Sequence, residues 1–239
     1  MTVKPQIIVL PGLDGDGALR DPLKAALSRI APTEVIGYPP QLYRYDDMLA
    51  FVRERLPGSA FILIAESYGG PLALRLAAER PEGLTGIIFV VTFARSPAWV
   101  PKWLVRLLKR LPGPRGALLN LILRLGGGRR ARRDVILDMA QVAERLPRKT
   151  ASNRLAEVLL ADLRPELAAL DVPMIYVQAT HDRSVPARMA QDFAQAGVPI
   201  IRTEGTHYLL EEAPERAADA LESHIRKMLD QGPIAISCG

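Results

Sequence analysis

A chain of 239 residues, 49% apolar and 24% charged, with a net charge of +5, has ordinary globular usage and length enough to bury a core without staples. Its one cysteine, Cys238, excludes an internal disulfide and a thiolate metal site, so a reducing, cytoplasmic setting is the expectation. No stretch approaches the roughly 20 apolar residues of a spanning helix, and the N-terminus runs straight into a short apolar segment and a glycine, so neither a membrane span nor a signal peptide is expected.

Gln6–Leu10 (QIIVL) predicts a buried strand, and Ala18–Arg29 a helix from the spacing of Leu19, Leu23, Ala26 and Leu27. Thr33–Gly37 follows as a short strand, Asp46–Leu56 as a helix and Phe61–Ala65 (FILIA) as an apolar strand. Gly70–Glu79 is a helix with Pro71 in its first turn, where a missing N–H costs little. Gly86–Val91 is another apolar strand. The alternation then stops from Arg95 to Leu170, a helical stretch with no strand candidate, broken at Pro112–Pro114 and at Gly126–Gly128. Between Arg95 and Lys149, lysines and arginines far outnumber Asp134, Asp138 and Glu144, and this segment makes the chain basic. The strand Met174–Ala179, the helix Ala187–Ala196, the strand Pro199–Thr203 and the helix Pro214–Leu229 resume the pattern, and QGPIAISCG is a loosely held tail. Continuously apolar strands alternating with helices specify an α/β fold with a parallel sheet covered on both faces. The expected organisation is a core of residues 1–94 and 171–239, with 95–170 as a helical insertion.

Four segments carry chemistry. Ala65-Glu66-Ser67-Tyr68-Gly69-Gly70 links a strand to a helix through a turn tight enough to need small residues two before and two after the serine, a place met by Ala65 and Gly69. A serine capping a helix is the other reading of A-x-S-x-G alone, and the catalytic one is favoured. Leu10-Pro11-Gly12-Leu13-Asp14-Gly15-Asp16-Gly17 follows the first strand, and its glycines allow a ligand close to the backbone. Acyl transfer needs two N–H groups aimed at an oxyanion, and Leu13 and Tyr68 are placed to supply them. Asp14 and Asp16 lack the spacing of a calcium loop, so no metal or cofactor is expected. Asp182 lies just past the strand Met174–Ala179, and His207, in Gly205-Thr206-His207-Tyr208, just past the last strand. Ligands gather at that end of open parallel sheets. Of the other histidines, His181 adjoins Asp182 and should point elsewhere, and His224 lies in a polar helix.

Serine, acid, histidine, each after a successive strand, is the chain order of α/β-hydrolases. ESYGGPLAL, THDRSVP and GTHYLLEEAPE resemble that superfamily's nucleophile, acid and histidine segments, and the likeness runs nearly the whole chain. The sequence is similar to small bacterial carboxylesterases, including those that cleave the methyl ester of pimeloyl acyl-carrier protein. The resemblance implies a mostly parallel sheet of about six strands without the family's N-terminal antiparallel hairpin, and residues 95–170 as a cap over the site. It implies a serine hydrolase of esters or thioesters, with Ser67 as nucleophile, His207 as base and Asp182 orienting it. The family's usual His-Gly is Pro11-Gly12 here. An acyltransferase, or a binder without turnover on the same fold, would share these features. Within the insertion, Val100–Leu111 predicts a basic amphipathic helix. Trp103, Leu104, Leu107 and Leu108 are expected to line the acyl site, with Lys102, Arg106, Lys109 and Arg110 solvated or docking an acidic acyl carrier protein or an anionic membrane surface. Nucleic acid is not an expected partner, because the basic run lacks interleaved stacking aromatics.

Overall fold

A computed structural model describes residues 4–231. Cys238 and most of the expected loose tail lie outside the described residues. Six strands, β1 (Gln6–Leu10), β2 (Thr33–Val35), β3 (Phe61–Glu66), β4 (Leu84–Val90), β5 (Met174–Ala179) and β6 (Ile200–Thr203), form one sheet in the order β2-β1-β3-β4-β5-β6. Every adjacent pair is parallel. Strand alternation sorts the apolar side chains between two cores. Ile8, Leu10, Leu63, Ala65, Ile87 and Phe89 meet one face. They pack against Met48 and Val52 of α2 (Tyr45–Arg53), Leu72 and Leu76 of α3 (Gly69–Ala78), and Phe193 of α9 (Met189–Gln195). Ile7, Val9, Ile62, Ile64, Ile88 and Val90 meet the other, with Leu23 and Leu27 of α1 (Asp21–Leu27) and Leu221, Ile225 and Met228 of α11 (Pro214–Asp230). Burial on both faces is why these strands read as unbroken apolar runs.

Some boundaries differ from expectation. The first helix begins as a 3-10 turn, Ala18–Arg20, because Pro22 sits at the start of α1 and supplies no N–H to an earlier turn. A short helix absent from the sequence reading, α10 (Leu209–Glu212), follows His207.

Between β4 and β5 lie α4 (Lys102–Leu108), α5 (Gly116–Gly127), α6 (Arg133–Arg145), α7 (Arg148–Leu160) and α8 (Arg164–Ala169). The insertion closes earlier than residue 170. Ser96 N–H donates to Ala161 O at 2.8 Å and Leu163 N–H to Ala94 O at 2.7 Å, around an antiparallel bridge of Arg95 and Asp162. Beyond that neck, Leu163 and Leu167 join the sheet's core, as Val158 of α7 does before it. The glycine run is also more than a breaker. Gly126 and Gly127 are helical, and a Cβ on Gly127 would stand 2.6 Å from the Tyr208 ring. Their bareness lets the end of α5 seat against the segment that carries His207, where Tyr208 Oη donates to Leu123 O at 2.9 Å. Gly128, at φ 74°, ends the helix.

Candidate active site

Strand β3 delivers Ser67 at φ 46°, in the left-handed region that a non-glycine residue adopts at a cost of order 1–3 kcal/mol. Its surroundings hold it there. Ser67 N–H donates to Val90 O at 3.0 Å, and Gly70 N–H to Ser67 O at 3.1 Å. Next to it, Val91 is turned to φ 43°, an unusual conformation for a β-branched residue. That turn brings Thr92 beneath the serine, where its hydroxyl also donates to Ser67 O. Ala65 is fully buried, and a Cβ on Gly69 would lie 2.6 Å from Leu10 O. The clash would be with backbone, which cannot rotate aside. Gly69→Ala is therefore expected to destabilise the fold by about 1–3 kcal/mol and to distort the turn. A urea midpoint equal to that of the parent chain would contradict this packing.

The three predicted side chains form one hydrogen-bonded series. Ser67 Oγ is 3.0 Å from His207 Nε2, and His207 Nδ1 is 2.9 Å from Asp182 Oδ2. Asp182 Oδ1 accepts from the amides of Ser184 and Val185, both at 2.8 Å, so the carboxylate is held on both oxygens. The carboxylate at Nδ1 fixes the proton there and leaves Nε2 free to accept from serine. Burial works to lower the His207 pKa, but the charge and hydrogen bond of Asp182, with the charge of Glu66, outweigh it and leave it above the ordinary histidine value. His181 lies apart, with Nε2 2.7 Å from Arg130 Nη1, and His224 sits on α11.

Among the described residues, the amides of Leu13 and Tyr68 donate to no other protein group. The Tyr68 side chain is fully buried and stacked on Tyr45 at 4.6 Å, and Tyr45 Oη donates to Tyr68 O at 3.2 Å. Where the family's His-Gly would stand, Pro11 O accepts from Tyr38 Oη at 3.1 Å. Two arginines that the sequence reading passed over hold the same loop. Arg154 of α7 is fully buried and spends all five N–H groups on carbonyls: Leu13 O at 2.9 Å, Asp14 O at 3.0 Å, Pro39 O at 3.1 Å, and Leu42 O twice.

Arg20 is the second. Its Nη1 donates to Asp14 Oδ2 at 2.7 Å, and its Nη2 donates to Asp14 Oδ1 at 3.1 Å and Glu66 Oε2 at 2.8 Å. Its Nε adds a bond to Glu66 at 3.0 Å. Glu211 comes within 2.9 Å of Nη2, yet neither of its oxygens gains a hydrogen bond, because both protons on Nη2 are already committed. Burial, then the charge of Glu66, push the Glu211 pKa well above the ordinary carboxylate value. One guanidinium thus joins the loop of Leu13 to the residue before Ser67, with Glu211 of the helix after His207 2.9 Å away. Asp14 and Asp16, the aspartates of the glycine loop, serve that loop: Asp16 caps Ala18 N–H at 2.8 Å.

The expected lid residues are not brought to this site. Trp103, Leu104 and Leu107 are exposed and Leu108 is half-buried; the buried residue of α4 is Val105. Helix α4 packs on α7, and Lys109 pairs with Glu157 there at 3.1 Å, which turns the expected apolar face outward. A cleft of about 440 Å³ beside the glycine loop is lined by residues that include Asp14, Tyr38, Pro40, Val142 and Leu146.

A strained serine at a strand-to-helix turn, a histidine and an acid after two later strands, and paired amides above a parallel sheet define the class of α/β folds built around a serine triad. Residues 7–220 match the Alpha/beta hydrolase family, and the chain belongs to it. No curated protein matches the sequence. Among solved structures, it is similar to an enol-lactonase from Burkholderia xenovorans LB400, with a TM-score of 0.77, 21% identity and coverage of 95% of this chain and 92% of that one. It is also similar to an esterase from Exiguobacterium antarcticum, with a TM-score of 0.76, 16% identity and coverage of 94% and 92%. A bromoperoxidase from Bacillus anthracis shares the fold at a TM-score of 0.73 and 17% identity, with coverage of 96% and 92%.

Proposed function

We infer that the protein is a serine hydrolase that cleaves a carboxylic ester or thioester through an acyl-enzyme on Ser67. The observation that carries this reading is the continuous series Ser67–His207–Asp182 on a strained turn, beside the uncommitted amides of Leu13 and Tyr68. His207 takes the Ser67 proton as Oγ bonds to the acyl carbon, and the carbonyl electrons move onto oxygen. The two amides stabilise that oxyanion. Collapse breaks the bond to the leaving alcohol or thiol, which receives the proton from His207. Water then attacks the acyl-enzyme, with His207 again taking and returning a proton, and the carboxylic acid leaves. Asp182 holds the tautomer and stabilises the imidazolium. Insertion helices α5 and α7, which touch the His207 and Leu13 segments, act as the cap of this reaction. Mixing enzyme with p-nitrophenyl acetate should give a burst of p-nitrophenol stoichiometric with protein and one acetyl group on the peptide containing Ser67. Acetylation elsewhere, or none, would refute the mechanism.

The pH profile carries a sign. Only neutral His207 accepts the serine proton, and its raised pKa keeps the protonated form present to higher pH. The acid limb of kcat/KM should therefore have its midpoint above about 6.5, the ordinary histidine value. Asp182→Asn should move that midpoint down while lowering the rate. A midpoint below 6 in the parent enzyme would contradict the influence of Asp182 and Glu66 on the imidazole.

A further inference from the structure

We propose that the outer face of helices α4 and α5 is a docking surface for an anionic lipid bilayer. Both helices turn apolar stripes to solvent. On α5, Leu118, Leu121, Ile122 and Leu125 fall at helical spacing and are between 47% and 60% exposed, while the opposite stripe, Leu119 and Leu123, packs inward. A helix apolar on all sides belongs in an interior or against a partner, and here one side has no cover. Around α4, Trp99 is 88% exposed and Trp103 65%, with Leu104, Leu107 and Leu111 beside them. These are the only two tryptophans in the chain.

Charge decides the occupant. From Arg95 to Arg133 the sequence contains eleven lysines and arginines and no aspartate or glutamate. Lys102, Arg106, Arg110 and Arg124 are exposed, and among the described residues they make no ion pair. A second copy of the chain would bring like charge against like. An acidic protein face would meet the cations and leave the leucines and tryptophans in water. An anionic bilayer satisfies both: phosphates meet the cations, tryptophan rings settle at headgroup level, and leucines enter the acyl boundary. No helix among the described residues is long and apolar enough to cross a membrane, so the contact is a surface one. The C-terminal end of α5 seats on Tyr208, beside His207, so the docked face and the candidate active site share one helix.

The test stands apart from the hydrolase reading, because its readout is not turnover. Trp103 lies on α4 and Trp99 just before it, both exposed, so their emission reports docking. Vesicles of equal phosphatidylglycerol and phosphatidylcholine should blue-shift the emission and sediment the protein, and pure phosphatidylcholine should do neither. Raising salt from 0.1 M to 1 M, which shortens the screening length from about 10 Å to about 3 Å, should release it. Changing Lys102, Arg106, Arg110 and Arg124 together to glutamine should lower partitioning by about 10²–10³-fold while p-nitrophenyl acetate hydrolysis stays unchanged. Ser67→Ala should bind vesicles like the parent, so loss of hydrolysis and loss of docking are separable. The proposal is overturned if anionic vesicles leave the emission unchanged. It is equally overturned if an acidic acyl carrier protein shifts the emission and vesicles do not, or if the shift appears with protein concentration alone as a dimer forms.

Discussion

Ser67→Ala should lower kcat/KM for p-nitrophenyl esters by about 10³-fold or more, because serine, histidine and acid act as a unit and the remaining rate comes only from binding and the two amides. The substitution should leave the fold nearly intact: the Ser67 hydroxyl has His207 as its partner, and the backbone bonds to Val90 and Gly70 do not involve the side chain. Equal urea midpoints for parent and variant would therefore accompany the kinetic loss. His207→Ala should lose a similar factor, and the double variant little more than either alone. Near-parental turnover in Ser67→Ala, with the same esters, would remove the nucleophile assignment.

Arg20→Met should destabilise the protein by about 3–5 kcal/mol, the cost of leaving buried charges without their counter-charge. Asp14 and Glu66 would face each other across the vacated position, both buried. The triple variant Asp14→Asn, Arg20→Met, Glu66→Gln should recover most of that loss, since the buried charges of Asp14 and Glu66 are removed together with that of Arg20. Urea midpoints of the single and triple variants measure the difference. The triple variant should still hydrolyse esters more slowly than the parent, because the loop carrying Leu13 and the turn carrying Ser67 lose their shared anchor. An Arg20→Met variant within 1 kcal/mol of the parent would mean that the cluster carries little of the folding energy.

Arg20 also shows where a sequence ceases to be legible. Strands were readable because both their faces are buried, and β5 falls at Met174–Ala179 as its apolar run indicates. The segments of Ser67, Asp182 and His207 were readable because each follows a strand, and the sheet brings strand ends together. Arg20 sits in a helical pattern where an arginine is expected on the outer face, and its partner Glu66 is 46 residues away. Arg154 is the same case at longer range, its closest clue being that Gly15 is bare where Arg154 lies against it. For α4, amphipathic spacing identified a helix with two faces but not which face turns inward. That was settled by Val105 and by the Lys109–Glu157 pair, neither of which a hydrophobic pattern reveals. The helical glycines at the end of α5 looked like a break because their reason lies in Tyr208, 81 residues after Gly127.

The insertion is fastened unevenly, and this divides its mechanics. Lifting α7 would strand all five N–H groups of Arg154 and the carbonyls of Leu13 and Asp14 with them. Helix α4 is tethered by far less: one buried valine and one lysine–glutamate pair. Local opening is therefore expected to concentrate in α4, while the loop of Leu13 should move only with α7. A shift of α4 is thereby uncoupled from the Leu13 loop: the outer helix can move while the Arg154 bonds to Leu13 O and Asp14 O stay in place.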